Sequence, residues 1–244
     1  MNANYFFISI LFLLAPLLRA EEKNDDNGQF ISSLLDEKHQ LKGVPFPEVV
    51  KAATGKTVLP INLKAETDRE LIAKIGRAGD EVLRRMNALD SIAQKQKRIN
   101  EVSSHFEDAL KAELNKIPGF ECDFPKTSSG KVQRSGYPDL RLVDKKSGRV
   151  IYLDPKLYEV GSRTSSLRTF YYEPKTETGK IHDDAHHLII GFEHGPRESD
   201  GSWRFLNWEL VDLSGFKVRL KAEFQGSNKD LYRPELIVGG SRNK

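Results

Sequence analysis

The sequence predicts an α/β (α+β) chain, a mixed central sheet flanked by helices, with a helical N-terminal extension ahead of it. Three observations predict this. Apolar residues recur at helical spacing between Leu71 and Ile117, Pro118-Gly119 interrupts them, and five β-rich runs follow. The 244 residues, 38% of them hydrophobic, suffice for one sizeable core and an extension.

Tyr5 to Leu18 is an apolar stretch followed abruptly by the polar run Glu21 to Asp26. That pattern reads as a secretory signal peptide over residues 1–20, cleaved after Ala20, which would send the chain to the periplasm or outside the cell. No apolar run reaches the roughly 20 residues that span a bilayer, which excludes an integral membrane protein. Residues 21–47 are polar and then proline-rich. Ala53 to Thr57 ends like a phosphate-binding loop, but Val50 stands where that loop needs glycine, so the pattern fails. A short strand is expected over 58–63. Thr67-Asp68-Arg69-Glu70 spells a capping box, and Leu71, Ile75, Val82, Met86 and Leu89 follow at helical spacing. A second helical stretch runs from 91 to 117. Strands are expected over 120–124, 137–143, 149–157, 186–194 and 203–213, with a further helical piece after Ser165. This divides the mature chain into an extension, 21–98, mostly helical from 67, and a core domain, 99–244. The single cysteine, Cys122, excludes an intrachain disulfide and a cysteine-clustered zinc site.

The chemistry gathers on one hairpin. Asp144 to Gly148 is a turn between two β-rich runs. Folded about that turn, the chain sets Asp139 opposite Asp154, Leu140 opposite Leu153, and Leu142 opposite Ile151. Successive side chains alternate, so four apolar residues share one face while Asp139, Asp154 and Lys156 share the other. Paired carboxylates repel as bare anions, and a hard cation such as Mg²⁺ relieves that by ligation. A lysine beside them supplies positive charge near a scissile phosphate.

At these residues the sequence resembles the PD-(D/E)XK nuclease superfamily, whose fold is the restriction-endonuclease-like one. Pro138-Asp139 stands for the first half of its signature and Asp154-Pro155-Lys156 for the second. The resemblance covers roughly residues 99 to 215. It implies that Asp139 and Asp154 hold Mg²⁺ or Mn²⁺, that the Pro155 carbonyl is a further ligand, and that Lys156 is catalytic. Proline departs from a ladder strand, because it removes a backbone donor.

Family members often add a glutamate from the preceding helix. Glu107, Leu110, Leu114 and Gly119-Phe120 resemble that helix in archaeal Holliday-junction resolvases, which nominates Glu107. Glu113, within the apolar side, is the alternative that burial nominates. Lys131 and Arg134, in a Gly/Ser loop leading to Asp139, and Arg163 and Arg168 beyond Lys156 are candidate nucleic-acid contacts. Lys175 and Lys180 belong to the same basic stretch, and the tyrosines among them are best read as core. Ser128 and Lys131 have acyl-transferase spacing but lie in a loop without the companion motifs. His182, His186 and His187 lead straight into a buried strand, so they read as a polar strand entry.

The formal charge of +3 is small, yet residues 126–180 hold 12 basic and 6 acidic side chains. A local +6 around the Asp-Asp-Lys cluster suits a polyanion. The sequence therefore predicts an exported, metal-dependent nuclease acting on DNA more than on RNA. Because an exported enzyme meets no host genome, a nutritional or defensive nuclease is expected over a restriction enzyme. The alternative is a catalytically inactive nuclease-fold module that binds nucleic acid or an envelope partner.

Overall fold

A computed structural model describes residues 22–35, 42–221, 223 and 225–239. The signal peptide expected over 1–20 lies outside the described residues. Among the described residues, no helix is long and apolar enough to cross a membrane. The chain divides into two units. One comprises residues 1–42 and 219–244, with helix α1 (Glu22–Leu35) and a short helix α5 (Asn228–Leu231). Ser227 caps α5 through a reciprocal pair of bonds with Asp230.

The second unit, Gly43–Val218, carries the central sheet. Its elements are β1 (Val44–Pro45), α2 (Phe46–Thr54), β2 (Val58–Leu59), α3 (Glu66–Met86), α4 (Ile99–Asn115), β3 (Phe120–Asp123), β4 (Leu140–Asp144), β5 (Arg149–Glu159), β6 (Ala185–His194), β7 (Phe205–Asp212) and β8 (Lys217–Val218). The expected extension thus supplies α2, β2 and α3 to the same unit as the hairpin. The sheet runs β2-β6-β5-β4-β3, and β7 also pairs with β6, beyond the short β2. The β5–β6 and β2–β6 pairs are parallel and the others antiparallel, so the sheet is mixed. The strands β1 and β8 form a separate antiparallel pair.

On one face, Leu140, Leu142, Ile151 and Leu153 are fully buried against Val102, Phe106, Leu110 and Leu114 of α4 and Ile75 and Val82 of α3. The hairpin register pairs Leu140 with Leu153 and Leu142 with Ile151, as the alternation predicts. On the other face a second cluster gathers Phe46 and Val50 of α2, Tyr137, Tyr152 and Ile181.

Four details differ from the sequence expectation. The start of α3 has no capping box: Ala65 is the N-cap, and Asp68 instead accepts from the Asn62 amide (2.7 Å) and pairs with Arg149 (2.9 Å). Leu89 lies beyond the helix and is 95% exposed. The stretch 91–117 is a short 3₁₀ turn, Ile92–Lys95, followed by α4. The break has a cause: Trp203 donates to the Gln96 carbonyl, and the Gln94 side chain bridges Met86 and Trp203. No helix lies between Ser165 and β6. Residues 165–184 are an irregular crossover in which Phe170 and Tyr172 pack on Phe46 while Tyr171 faces out, a period of two rather than 3.6.

Candidate active site

Asp154 lies mid-strand on β5, 1% exposed, with its neighbours in β6 fixing it in register. Asp139 immediately precedes β4, one step beyond the Leu140–Leu153 pair, and so reaches the position opposite Asp154. The two carboxyl groups are close enough for the Asp154 charge to act on Asp139. Lys156, two residues along the same face, places its Nζ 2.6 Å from Asp154 Oδ2 and 3.5 Å from Asp139 Oδ2.

The electrostatics follow from that crowding. Burial, with the adjacent Asp154 charge added, pushes the Asp139 carboxyl up to about 7, against the pull of Lys156 and Lys180. Burial alone would lower the Lys156 ammonium, but Asp154 and Asp139 hold it above its ordinary value. Lys156 is therefore a fixed cation at neutral pH.

Pro155 is accommodated without disturbing the sheet. The β4–β5 ladder ends at Leu153, so from Asp154 onward β5 has a strand partner only in β6. A strand with one open side is where proline fits.

The two helix glutamates separate clearly. Glu113 is buried but is taken by Arg85 of α3 at 2.5 Å and by Lys116 at 2.7 Å, which makes it a bridge between helices. Glu107 feels the charge of Asp139 and pairs with Arg134 at 2.9 Å. Burial raises its carboxyl above the usual value in spite of Arg134. Arg134 also contacts Asp108 at 3.0 Å and stacks on Phe124.

The other candidate contacts spread outward. Lys131 is exposed on the loop before Asp139. Arg163 pairs with Glu209 of β7 at 2.6 Å, and Arg168 lies over the Tyr171 ring at 5.0 Å. Lys180 is not a surface cation: it is 2% exposed, and its charge is felt by Asp139, Asp154 and Glu107. Sequence reasoning missed this, because Lys180 sits in an irregular segment with no periodicity to show which way it faces.

The histidines serve the scaffold. His182 Nε2 meets the Lys126 carbonyl at 2.9 Å, and His186 lies between Arg149 and the Leu59 carbonyl. His187 is buried beneath Tyr137, whose hydroxyl is 2.7 Å from its Nδ1. Burial pulls the His187 imidazole down to about 4, so it stays neutral.

Among the described residues, no three His, Cys, Asp or Glu side chains form a ready-made cage for a metal. The donor set still fits a hard cation of the Mg²⁺ type, which is commonly held by one or two carboxylates and completes its shell with water and phosphate. The observation behind that fit is the donor set itself: Asp154 Oδ2 and Asp139 Oδ2 converge on one cation, Lys156 Nζ, at 2.6 Å and 3.5 Å.

The chain is similar to known proteins over most of its length. The family model for type II restriction enzyme MjaV matches residues 39–235. The type II restriction enzyme MjaV of Methanocaldococcus jannaschii is 34% identical over 227 residues, an alignment covering 88% of this chain and 97% of that enzyme. The match extends well beyond the hairpin, over the helices and the crossover alike. The chain belongs to the type II restriction enzyme MjaV family.

Proposed function

We propose that this protein is a metal-dependent DNA endonuclease of the PD-(D/E)XK kind, hydrolysing phosphodiester bonds at Asp139, Asp154 and Lys156. The observation that carries this reading is that the buried Asp154 and the half-buried Asp139 converge on one ammonium, with Lys156 Nζ 2.6 Å from Asp154 and 3.5 Å from Asp139. Membership of a restriction-enzyme family supports DNA as the substrate and favours restriction-type cleavage over a nutritional role.

Asp139 and Asp154 would hold Mg²⁺ or Mn²⁺, with the Pro155 carbonyl as a neutral oxygen ligand. When bound, the ion supplies Lewis acidity toward a phosphoryl oxygen and lowers the pKa of water. Lys156, held protonated, places its charge where negative charge accumulates on the phosphate. Glu107 offers a further carboxylate beside the pair. Lys131, Arg134, Arg163 and Arg168 would grip backbone phosphates, which positions the duplex without reading its sequence.

Cleavage of supercoiled plasmid tests the proposal. The wild-type chain should cut with Mg²⁺ or Mn²⁺, stop on addition of EDTA, and lose activity in Asp154→Ala. A chain that retards DNA but cuts it with neither ion would instead be the inactive binding module. Export is a separate proposal resting on residues 1–20 alone. A recovered chain beginning at Glu21 in the periplasm or medium would support it, and one beginning at Met1 inside the cell would overturn it.

A further inference from the structure

A lysine is seldom fully buried, because an unpaired ammonium away from water is costly. Lys180 is 2% exposed. Its Nζ donates to the carbonyl of Gln133 at 3.2 Å and to that of Gly136. A third donor remains, and Asp139, Asp154 and Glu107 are the carboxylates whose charges act on it. The preceding residue adds a second hold. Gly179 accepts from the Ser128 amide at 3.0 Å, and a Cβ at this glycine would meet the Lys175 carbonyl oxygen at 2.5 Å. Gly179-Lys180 thus pins both ends of the segment 128–136, which carries Lys131 and Arg134 and leads directly into Asp139.

We propose that Lys180 is a positioning residue for the carboxylate pair. Its bonds to Gln133 and Gly136 fix the chain entering Asp139, and so set Asp139 against Asp154 and Arg134 against Glu107. The proposal rests on the nuclease reading of the site. Being buried, Lys180 grips no phosphate itself.

Two effects of opposite sign separate positioning from simple electrostatics. Removing a cation beside two carboxylates should tighten their hold on a divalent ion. Removing the bonds that place one of them should weaken it, by about tenfold when a supporting partner of a metal ligand is lost.

The test is Mn²⁺ titrated into the full chain without DNA, comparing wild type with Lys180→Met, alongside amide hydrogen exchange of residues 128–139 in metal-free protein. The expected result is Mn²⁺ affinity lower by about tenfold, with faster exchange confined to that segment. Plasmid cleavage should show a lower kcat at unchanged KM. Lys180→Gln, which keeps N–H donors without the charge, should recover part of the affinity. Tighter or unchanged Mn²⁺ binding, or unchanged exchange, overturns the proposal. Should Lys180→Met not fold, Lys180→Gln carries the same comparison. If neither folds, Lys180 is a folding residue and the proposal is wrong. A wild-type chain that binds no Mn²⁺ would instead defeat the metal-dependent reading, and the exchange comparison would still decide the role of Lys180.

Discussion

Strands β4 and β5 present two faces built from alternating residues of the same hairpin, and burial acts on them in opposite ways. On one, Leu140, Leu142, Ile151 and Leu153 are fully buried against α3 and α4, where each such side chain stabilises the fold by roughly 1.5–3 kcal/mol. On the other, Asp154 is as deeply buried, beside Asp139 and Lys156, and burial opposes the charges of Asp139 and Lys156. The apolar layer is rigid because it is neutral and close-packed. The polar layer is held to it by covalent alternation, so crowded charges stand fixed where they would otherwise relax apart. The site is a crowded cluster of charges mounted on a close-packed apolar layer.

Perturbing each face separately should sharpen that contrast. The largest effect is expected from Lys156→Met, which removes the cation without touching the apolar face. Plasmid cleavage should fall by on the order of 10²–10³. Next, Ile151→Ala should cost roughly 2–5 kcal/mol in urea denaturation, while the cleavage rate per folded molecule stays close to wild type. A comparable loss of rate in that variant would break the separation of the two faces.

The third effect concerns pH. A carboxyl raised to about 7 in the folded chain binds its proton more tightly there than when unfolded. Its contribution to stability is therefore complete below the unfolded value near 4 and is lost as pH rises toward 7. In EDTA, wild type should lose roughly 2 kcal/mol between pH 5 and pH 8, and Asp139→Asn should not. Denaturant midpoints at the two pH values measure this directly.

The smallest contrast lies along α4. Glu113→Gln should cost about 1 kcal/mol of stability, modest because its partners Arg85 and Lys116 are substantially solvent-exposed. Cleavage should be unaffected. Glu107→Gln should do the reverse, leaving stability near wild type and lowering cleavage by about tenfold.

The two faces also differ in how far the sequence reveals them. A strand repeats every two residues, so one turn and two acidic positions were enough to derive the register of β4 against β5 and the face each side chain takes. That same alternation was present in Phe170, Tyr171 and Tyr172, where helix was expected instead. The break between the 3₁₀ turn and α4 was hidden, because its cause, Trp203 bonding to Gln96, lies 107 residues away. Lys180 was hidden for a related reason: its partners are backbone carbonyls, which carry no residue identity to read. Glu107 and Glu113 could not be separated by helical geometry alone. Arg85, which marks Glu113 as a structural bridge, lies on another helix.

On the proposed reading, Asp139 and Asp154 together seat one divalent cation. The most direct measurement is Mn²⁺ binding to the full chain as a function of pH, in wild type and Asp154→Asn. One ion per wild-type chain is expected, with affinity climbing as pH rises to about 7, where the Asp139 proton leaves, and levelling above it. Asp154→Asn should bind none at that site. Binding that is independent of pH, or that survives Asp154→Asn unchanged, would contradict it.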